Sequence, residues 1–299
     1  MTRSRKILLI LVAFLTMATT ASSAKRQPSI ISKVDQKAMK AWVDQTFKAM
    51  TPDERIAQLF VMAINPRDKA VESQVKTYVE RYKVGGLIYN ENDIKTQAKL
   101  TNYAQSTSKV PLLITLDAEW GLAMRLEDAP RFPQNLFLGA IGDDQYFYDY
   151  GRELARECRR IGVNVNFAPV LDVIDRANTV LGVRAFSGDP EIVARHGIAF
   201  ARGLEDGGVL SVAKHFPGHG ATTADSHKTL PTIDKSYREL QLFDFVPFQR
   251  YFDAGLGGVL TAHLYIPAIE PKKIPGTMSP KYVKDLLQRK MGFQGLIFT

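Results

Sequence analysis

Between residues 214 and 227 the chain reads Lys-His-Phe-Pro-Gly-His-Gly-Ala-Thr-Thr-Ala-Asp-Ser-His, placing His215, His219, His227, Lys214 and Asp225 in one short stretch. Three chemistries compete for it. His215 and His219 are four residues apart, the spacing of a helical metal pair. Pro217 and Gly218 lie between them, where proline disfavours a continuing helix, and no Glu sits inside the spacing. No metal and no organic cofactor is therefore expected. Purely structural loop histidines are the second reading. The third is acid–base catalysis: Asp225 is two residues from His227 and can orient it. A neighbouring carboxylate favours the imidazolium, leaving His227 a proton to donate to a leaving group near neutral pH.

Further polar residues stand just after apolar runs, which raises the question of what carries them. Seven runs recur: within 58–64, 84–89, 111–116, 163–168, 209–213, 258–262 and 295–299. They are continuous rather than alternating, as in parallel strands buried on both faces. Helical patterns separate them. Val71, Val75, Tyr78 and Tyr82 fall on one face, as do Phe147, Tyr150, Leu154, Cys158 and Ile161, and Val283, Leu286 and Leu287 mark a final helix. Asp117, Asp172, the Lys214-His215 pair and His263 each follow a different run. A barrel gathers function at the C-terminal ends of many strands, whereas a doubly wound sheet uses one switch point. No glycine-rich phosphate fingerprint follows a run. The predicted fold is α/β, a TIM-type (β/α)8 barrel. It is expected to be incomplete at its C-terminus, because the seventh run ends at Thr299 and the last strand–helix unit is missing. Two unpaired edges are then expected to leave residues 25–299 unstable or aggregation-prone alone.

Composition narrows the remaining classes. The 299 residues carry 39 Lys plus Arg against 31 Asp plus Glu, with 45% hydrophobic residues, as in a globular enzyme. Residues 1–24 hold Arg3, Arg5 and Lys6 and no acid, so the remainder has 36 basic against 31 acidic residues, three fewer basic than the whole. That balance is too mild for a nucleic-acid partner. The basic start, the apolar run Ile7–Leu15 and small residues at Ser22 and Ala24 read as a signal peptide over 1–24, cleaved after Ala24. The run is short for a bilayer span of roughly 20 residues, and no later stretch is long enough. The mature protein is expected to be exported, periplasmic or secreted, with a lead-in helix in 25–50 and the barrel domain over 51–299. The one cysteine, Cys158, excludes a disulfide scaffold and packs on a helical face. Nothing in the sequence speaks to oligomeric state.

With these residues in view, the chain resembles glycoside hydrolase family 3, in its β-N-acetylhexosaminidase branch. Lys214-His215-Phe216-Pro217-Gly218-His219-Gly220 followed by Asp225-Ser226-His227 is similar to that branch's loop. Residues 116–125 resemble its D-x-E-G-G-x-V-x-R segment, 166–173 its N-F-A-P-V-x-D strand, and 181–186 its I-G-x-R-S-F turn. The resemblance implies a retaining exo-glycosidase that removes terminal non-reducing β-linked N-acetylglucosamine from peptidoglycan or glycan fragments, with carbohydrate as its partner. It implies that His227 is the acid/base and Asp225 its orienting partner, in place of the usual second carboxylate. It further implies that Asp117, Arg125, Arg184, Lys214 and His215 bind the sugar. Trp120 stands where the family has a glycine, and Met124 replaces a small polar or Gln-like residue, which puts subsite shape in question. The family's nucleophilic Asp follows a G-L-I-[FV]-[ST] segment; here that segment is Gly295–Thr299, so the nucleophile is expected just after residue 299 and this chain is expected to be inactive. The alternatives are a non-catalytic sugar-binding remnant and a family 3 β-glucosidase.

Overall fold

The computed structural model describes residues 33–174, 181–222 and 229–299. The signal-peptide reading, the start of the lead-in, Asp225 and His227 lie outside the described residues.

Helix α1 (Gln36–Ala49) opens on an Asp35 cap that accepts from the Lys37 and Ala38 amides. Helix α2 (Pro52–Ala57) begins with the expected capping box: Thr51 accepts from the Glu54 amide and Glu54 from that of Thr51. The two are tied where Arg55 Nε donates to the Phe47 carbonyl at 3.1 Å and its guanidinium lies 4.0 Å over the Phe47 ring. A strand forms at every predicted run: β1 (Val61–Ile64), β2 (Gly86–Tyr89), β3 (Leu113–Leu116), β4 (Val165–Asn166), β5 (Leu210–Phe216), β6 (Gly258–Thr261) and β7 (Leu296–Phe298), the fifth extending past its apolar run so that Lys214 and His215 lie on the strand rather than after it. All pair in parallel, each with its neighbour in sequence. The principal helices between them are α3 (Val71–Lys76), α4 (Ile94–Thr107), α5 (Asn135–Leu138), α6 (Asp144–Arg160), α7 (Pro190–Asp206), α8 (Tyr237–Leu242), α9 (Phe245–Asp253) and the wider-wound α10 (Lys281–Lys290).

The sheet is curled rather than flat. Phe167 after β4 meets Phe298 of β7 edge-on, ring centroids 5.2 Å apart, although β5 and β6 lie between those strands in the order. Val165, Phe167, Leu210 and Val212 form a small inner cluster with Ile88, Leu113, Leu260 and Phe298. Alternate residues of several strands filling one interior are the packing of a barrel. The large core lies outside the strands, under the helices. Among the described residues β1 pairs with β2 alone and β7 with β6 alone, and Leu59, Phe60 and Leu296 are exposed.

Local chemistry explains two departures from simple periodicity. Strand β4 has two residues because asparagine side chains extend its ladder. Asn164 accepts from the Ile114 amide (2.9 Å) and donates to the Leu112 carbonyl (3.0 Å), and Asn166 does the same to the amide and carbonyl of Ala118 (3.0 and 3.2 Å). The predicted Val71–Val75–Tyr78–Tyr82 face is corrected in its second half. The helix widens to π geometry over Thr77–Tyr82, so Val79 is buried and Tyr82 is exposed. In α6, by contrast, Phe147, Tyr150, Leu154 and Cys158, with Ile161 at its cap, are all buried as expected. Gly151 and Gly203 let α6 and α7 cross closely: a Cβ on Gly203 would stand 2.2 Å from the Tyr148 carbonyl oxygen.

Candidate active site

The C-terminal ends of β3, β4 and β5 converge on one charged cluster. Asp117 leaves β3 beside the Asn166 clamp on Ala118, which fixes the direction of residues 117–119. Lys214, near the end of β5, places Nζ 2.6 Å from Asp117 Oδ1 and 2.7 Å from Glu119 Oε1. Arg125 follows a short turn and donates Nη2 to Asp117 Oδ2 at 2.9 Å. Arg184 ends the turn Gly182–Arg184, whose carbonyl is held by buried Asn135 Nδ2 at 2.7 Å. Its guanidinium forks onto Glu119, Nη2 to Oε1 at 2.6 Å and Nε to Oε2 at 2.9 Å.

A second buried carboxylate organises the next loop. Asp172 Oδ2 lies 2.6 Å from His215 Nδ1, its oxygens are 3.2 and 3.3 Å from the His215 amide, and Oδ1 accepts from the His219 amide at 2.7 Å. The loop's glycines are steric requirements. Gly218 has φ +126°, and a Cβ on Gly220 would sit 1.6 Å from the Val173 carbonyl oxygen. His219 is buried with Nδ1 2.7 Å from Thr222 Oγ1. The metal-pair spacing thus has both Nδ1 atoms occupied by protein groups. Among the described residues no group of three His, Cys, Asp or Glu is placed to hold a metal ion.

Burial and charge pull against each other here, and charge wins for all three acids. Burial pushes Asp117 upward, but Lys214 and Arg125 hold its carboxyl well below the usual carboxylate range. Burial likewise opposes ionisation of Glu119, yet Lys214 and Arg184 bring it down to about 2. Asp172 is fully buried and still lowered, by the His215 ring and the groups of His219. Burial lowers His219 from the ordinary imidazole value, against the pull of Asp172. The cluster can therefore present fixed negative charge and aligned donors to a polar ligand without waiting for solvent to reorganise.

The structure brings Asp117, Arg125, Arg184, Lys214 and His215, singled out from sequence, into one cluster. Asp225 and His227 lie outside the described residues. His263 is exposed, with Nδ1 2.8 Å from Thr277 Oγ1, and Trp120 is half-buried. Glu119 and Asp172 were not among the predicted site residues, yet they connect the cluster. Their signal was present in the 116–125 and 166–173 segments, where both acids follow an apolar run.

A curled parallel α/β half-barrel, unclosed among the described residues and with its charged cluster at the C-terminal strand ends, defines a scaffold of the TIM-barrel class. The Glycosyl hydrolase family 3 N terminal domain matches residues 51–299, and the chain belongs to that family. It is 37% identical over 226 residues to a beta-hexosaminidase of Nitrosomonas eutropha, a stretch covering 72% of this chain and 64% of that protein. The structure of a glycoside hydrolase family 3 beta-N-acetylglucosaminidase from Paenibacillus superposes with TM-score 0.78 at 36% identity, over 83% of this chain and 49% of that one. NagZ from Neisseria gonorrhoeae, solved in complex with N-trifluoroacetyl-D-glucosamine, superposes with TM-score 0.73 at 33% identity, over 80% of this chain and 73% of that one. The chain thus spans under two thirds of the length of the Nitrosomonas relative and about half of the Paenibacillus one.

Proposed function

We propose that this barrel serves a retaining exo-glycosidase that removes terminal non-reducing β-N-acetylglucosamine from peptidoglycan or glycan fragments. The observation that carries the reading is the Asp117 carboxylate, half-buried between Lys214 and Arg125 at the mouth of β3. An ionised carboxylate with spare lone pairs accepts sugar hydroxyl hydrogens, and a ligand lacking them leaves a buried charge unpaired. The beta-hexosaminidase names of the relatives support the N-acetylglucosaminide class. In this reading Arg125 and Arg184 hold the sugar from two turns, and Lys214 and His215 from the end of β5. His227, oriented by Asp225, protonates the leaving oxygen and then activates water. The attacking carboxylate follows Thr299, at the end of β7. The protein works after export, once residues 1–24 are removed.

The test compares an aryl N-acetylglucosaminide with an aryl glucoside on a protein that carries this barrel and the residues following Thr299. Preference for the glucoside overturns the substrate assignment. In the same protein His227→Ala lowers turnover most on poor leaving groups, which need protonation, and least on activated aryl glycosides. Equal losses on both would remove His227 from the acid role.

A further inference from the structure

Glu119, like Asp172, is an acid of the cluster that no ligand can reach from solvent, because its side chain is fully buried. Its two oxygens are nevertheless committed to groups that reach the opening. Oε1 accepts from both Lys214 Nζ and Arg184 Nη2, and Oε2 from Arg184 Nε. This uses one edge of the guanidinium. The remaining Nη2 hydrogen lies toward His215 Nε2, 3.3 Å away. A guanidinium only donates, so Nε2 must offer its lone pair. The ring proton is then on Nδ1, where Asp172 accepts it at 2.6 Å. Among the described residues no protein atom takes up the two N–H groups of Arg184 Nη1, on a side chain 25% exposed. The third N–H of Lys214 is in the same condition.

We propose that Glu119 is a positioning residue that aims Arg184 Nη1 and the third Lys214 N–H at the ligand and, through Arg184, fixes His215 as the neutral Nδ1–H tautomer. The ligand arm of this inference rests on the reading of the cluster as a sugar site; the tautomer arm does not. The substitution Glu119→Gln tests both. The amide keeps one acceptor oxygen but turns an NH2 toward a donor of Arg184, so the fork cannot close. Arg184 then swings free and His215 loses its partner on Nε2.

Two measurements on a protein that carries this barrel and the residues following Thr299 read this out. The first is the imidazole 15N spectrum, with His215 assigned by its loss in His215→Gln. Wild type is expected to show a protonated Nδ1 and an unprotonated Nε2, and Glu119→Gln to lose that pattern through tautomer exchange. The second is calorimetric binding of N-acetylglucosamine, expected to weaken by about tenfold or more in Glu119→Gln. Should Glu119→Gln not fold, Arg184→Lys carries the same test, since an ammonium on a shorter reach leaves His215 Nε2 without its donor and abolishes the pattern. An unchanged His215 spectrum in the folded variant, or sugar affinity within about twofold of wild type, overturns the positioning role. A wild type that binds no N-acetylglucosamine while its His215 spectrum still depends on Glu119 sinks the sugar-site reading and the ligand arm, and leaves the tautomer arm standing.

Discussion

Replacing Asp172 by Asn removes one charge and no volume, so its cost measures what the carboxylate does. In the native site its two oxygens meet the His219 amide, the His215 amide and His215 Nδ1. An Asn oxygen can keep the two amides. Its NH2 then faces the Nδ1–H, donor against donor. The imidazole can escape by moving its proton to Nε2, but that hydrogen points at Arg184 Nη2, which is also a donor. The conflict is transferred, not relieved. One buried donor stays unpaired at about 1–3 kcal/mol, and a hydrogen bond to a charged acceptor, itself about 1.5–3 kcal/mol, is lost. Taking the two as overlapping gives about 3 kcal/mol. For a domain of this size that corresponds to a fall of roughly 5–6 °C in Tm, measurable by calorimetry. The explanation also fixes a coupling. In an Arg184→Met background the tautomer escape is open, and Asp172→Asn should cost about 1 kcal/mol less. A Tm unchanged by Asp172→Asn, or strict additivity with Arg184→Met, would refute the tautomer argument.

Two other perturbations follow from the same cluster. Glu119 has its carboxyl lowered from 4.5 to about 2. A depressed acid stabilises the fold fully above its unfolded pKa and loses that contribution as pH falls through the folded one, because the unfolded chain binds the proton first. Its share, about 3 kcal/mol, should therefore disappear between about pH 4.5 and pH 2, with Asp117 acting in the same direction. Urea midpoints that do not fall between about pH 5 and pH 3 would contradict it. Gly220→Ala forces a Cβ to within 1.6 Å of the Val173 carbonyl oxygen, so the backbone carrying the His219 amide must move away from Asp172. The expected loss is about 3 kcal/mol or more, at the upper end for overpacking; a wild-type unfolding midpoint would show that the loop shifts freely.

Much of this was legible from residue order. Each apolar run held a strand because a strand buried on both faces needs nothing but apolar residues. The α6 face was legible because steps of three and four place Phe147, Tyr150, Leu154 and Cys158 on one side whatever packs there. The Thr77–Tyr82 segment was not, since the π widening that rotates Tyr82 outward is a tertiary adjustment without a compositional mark. At the site, Arg125 and Lys214 are legible as cations in short motifs, and Asp172 as an acid after an apolar run, but the linking roles of Glu119 and Asp172 are not. Their importance lies in burial and in partners 65 and 43 residues away, quantities that sequence proximity does not encode.

The strictly sequential strand order has a consequence for how the site comes to exist during synthesis. Each new strand finds its template already laid down by the one before it, so the sheet can grow by accretion from its N-terminal edge. The ion cluster does not arrive in that way. Asp117 and Glu119 emerge with β3, Asp172 after β4, then Arg184, and only with β5 do Lys214 and His215 appear. Until then the growing sheet holds more anions than cations at its mouth, and burying them is unfavourable. Docking of β5 is thus the step that neutralises the mouth and lets it close. Ribosome-stalled chains long enough to hold residue 216 inside, or to carry it clear of, the exit tunnel would show the difference as protease resistance of the β3 end, acquired only in the longer one.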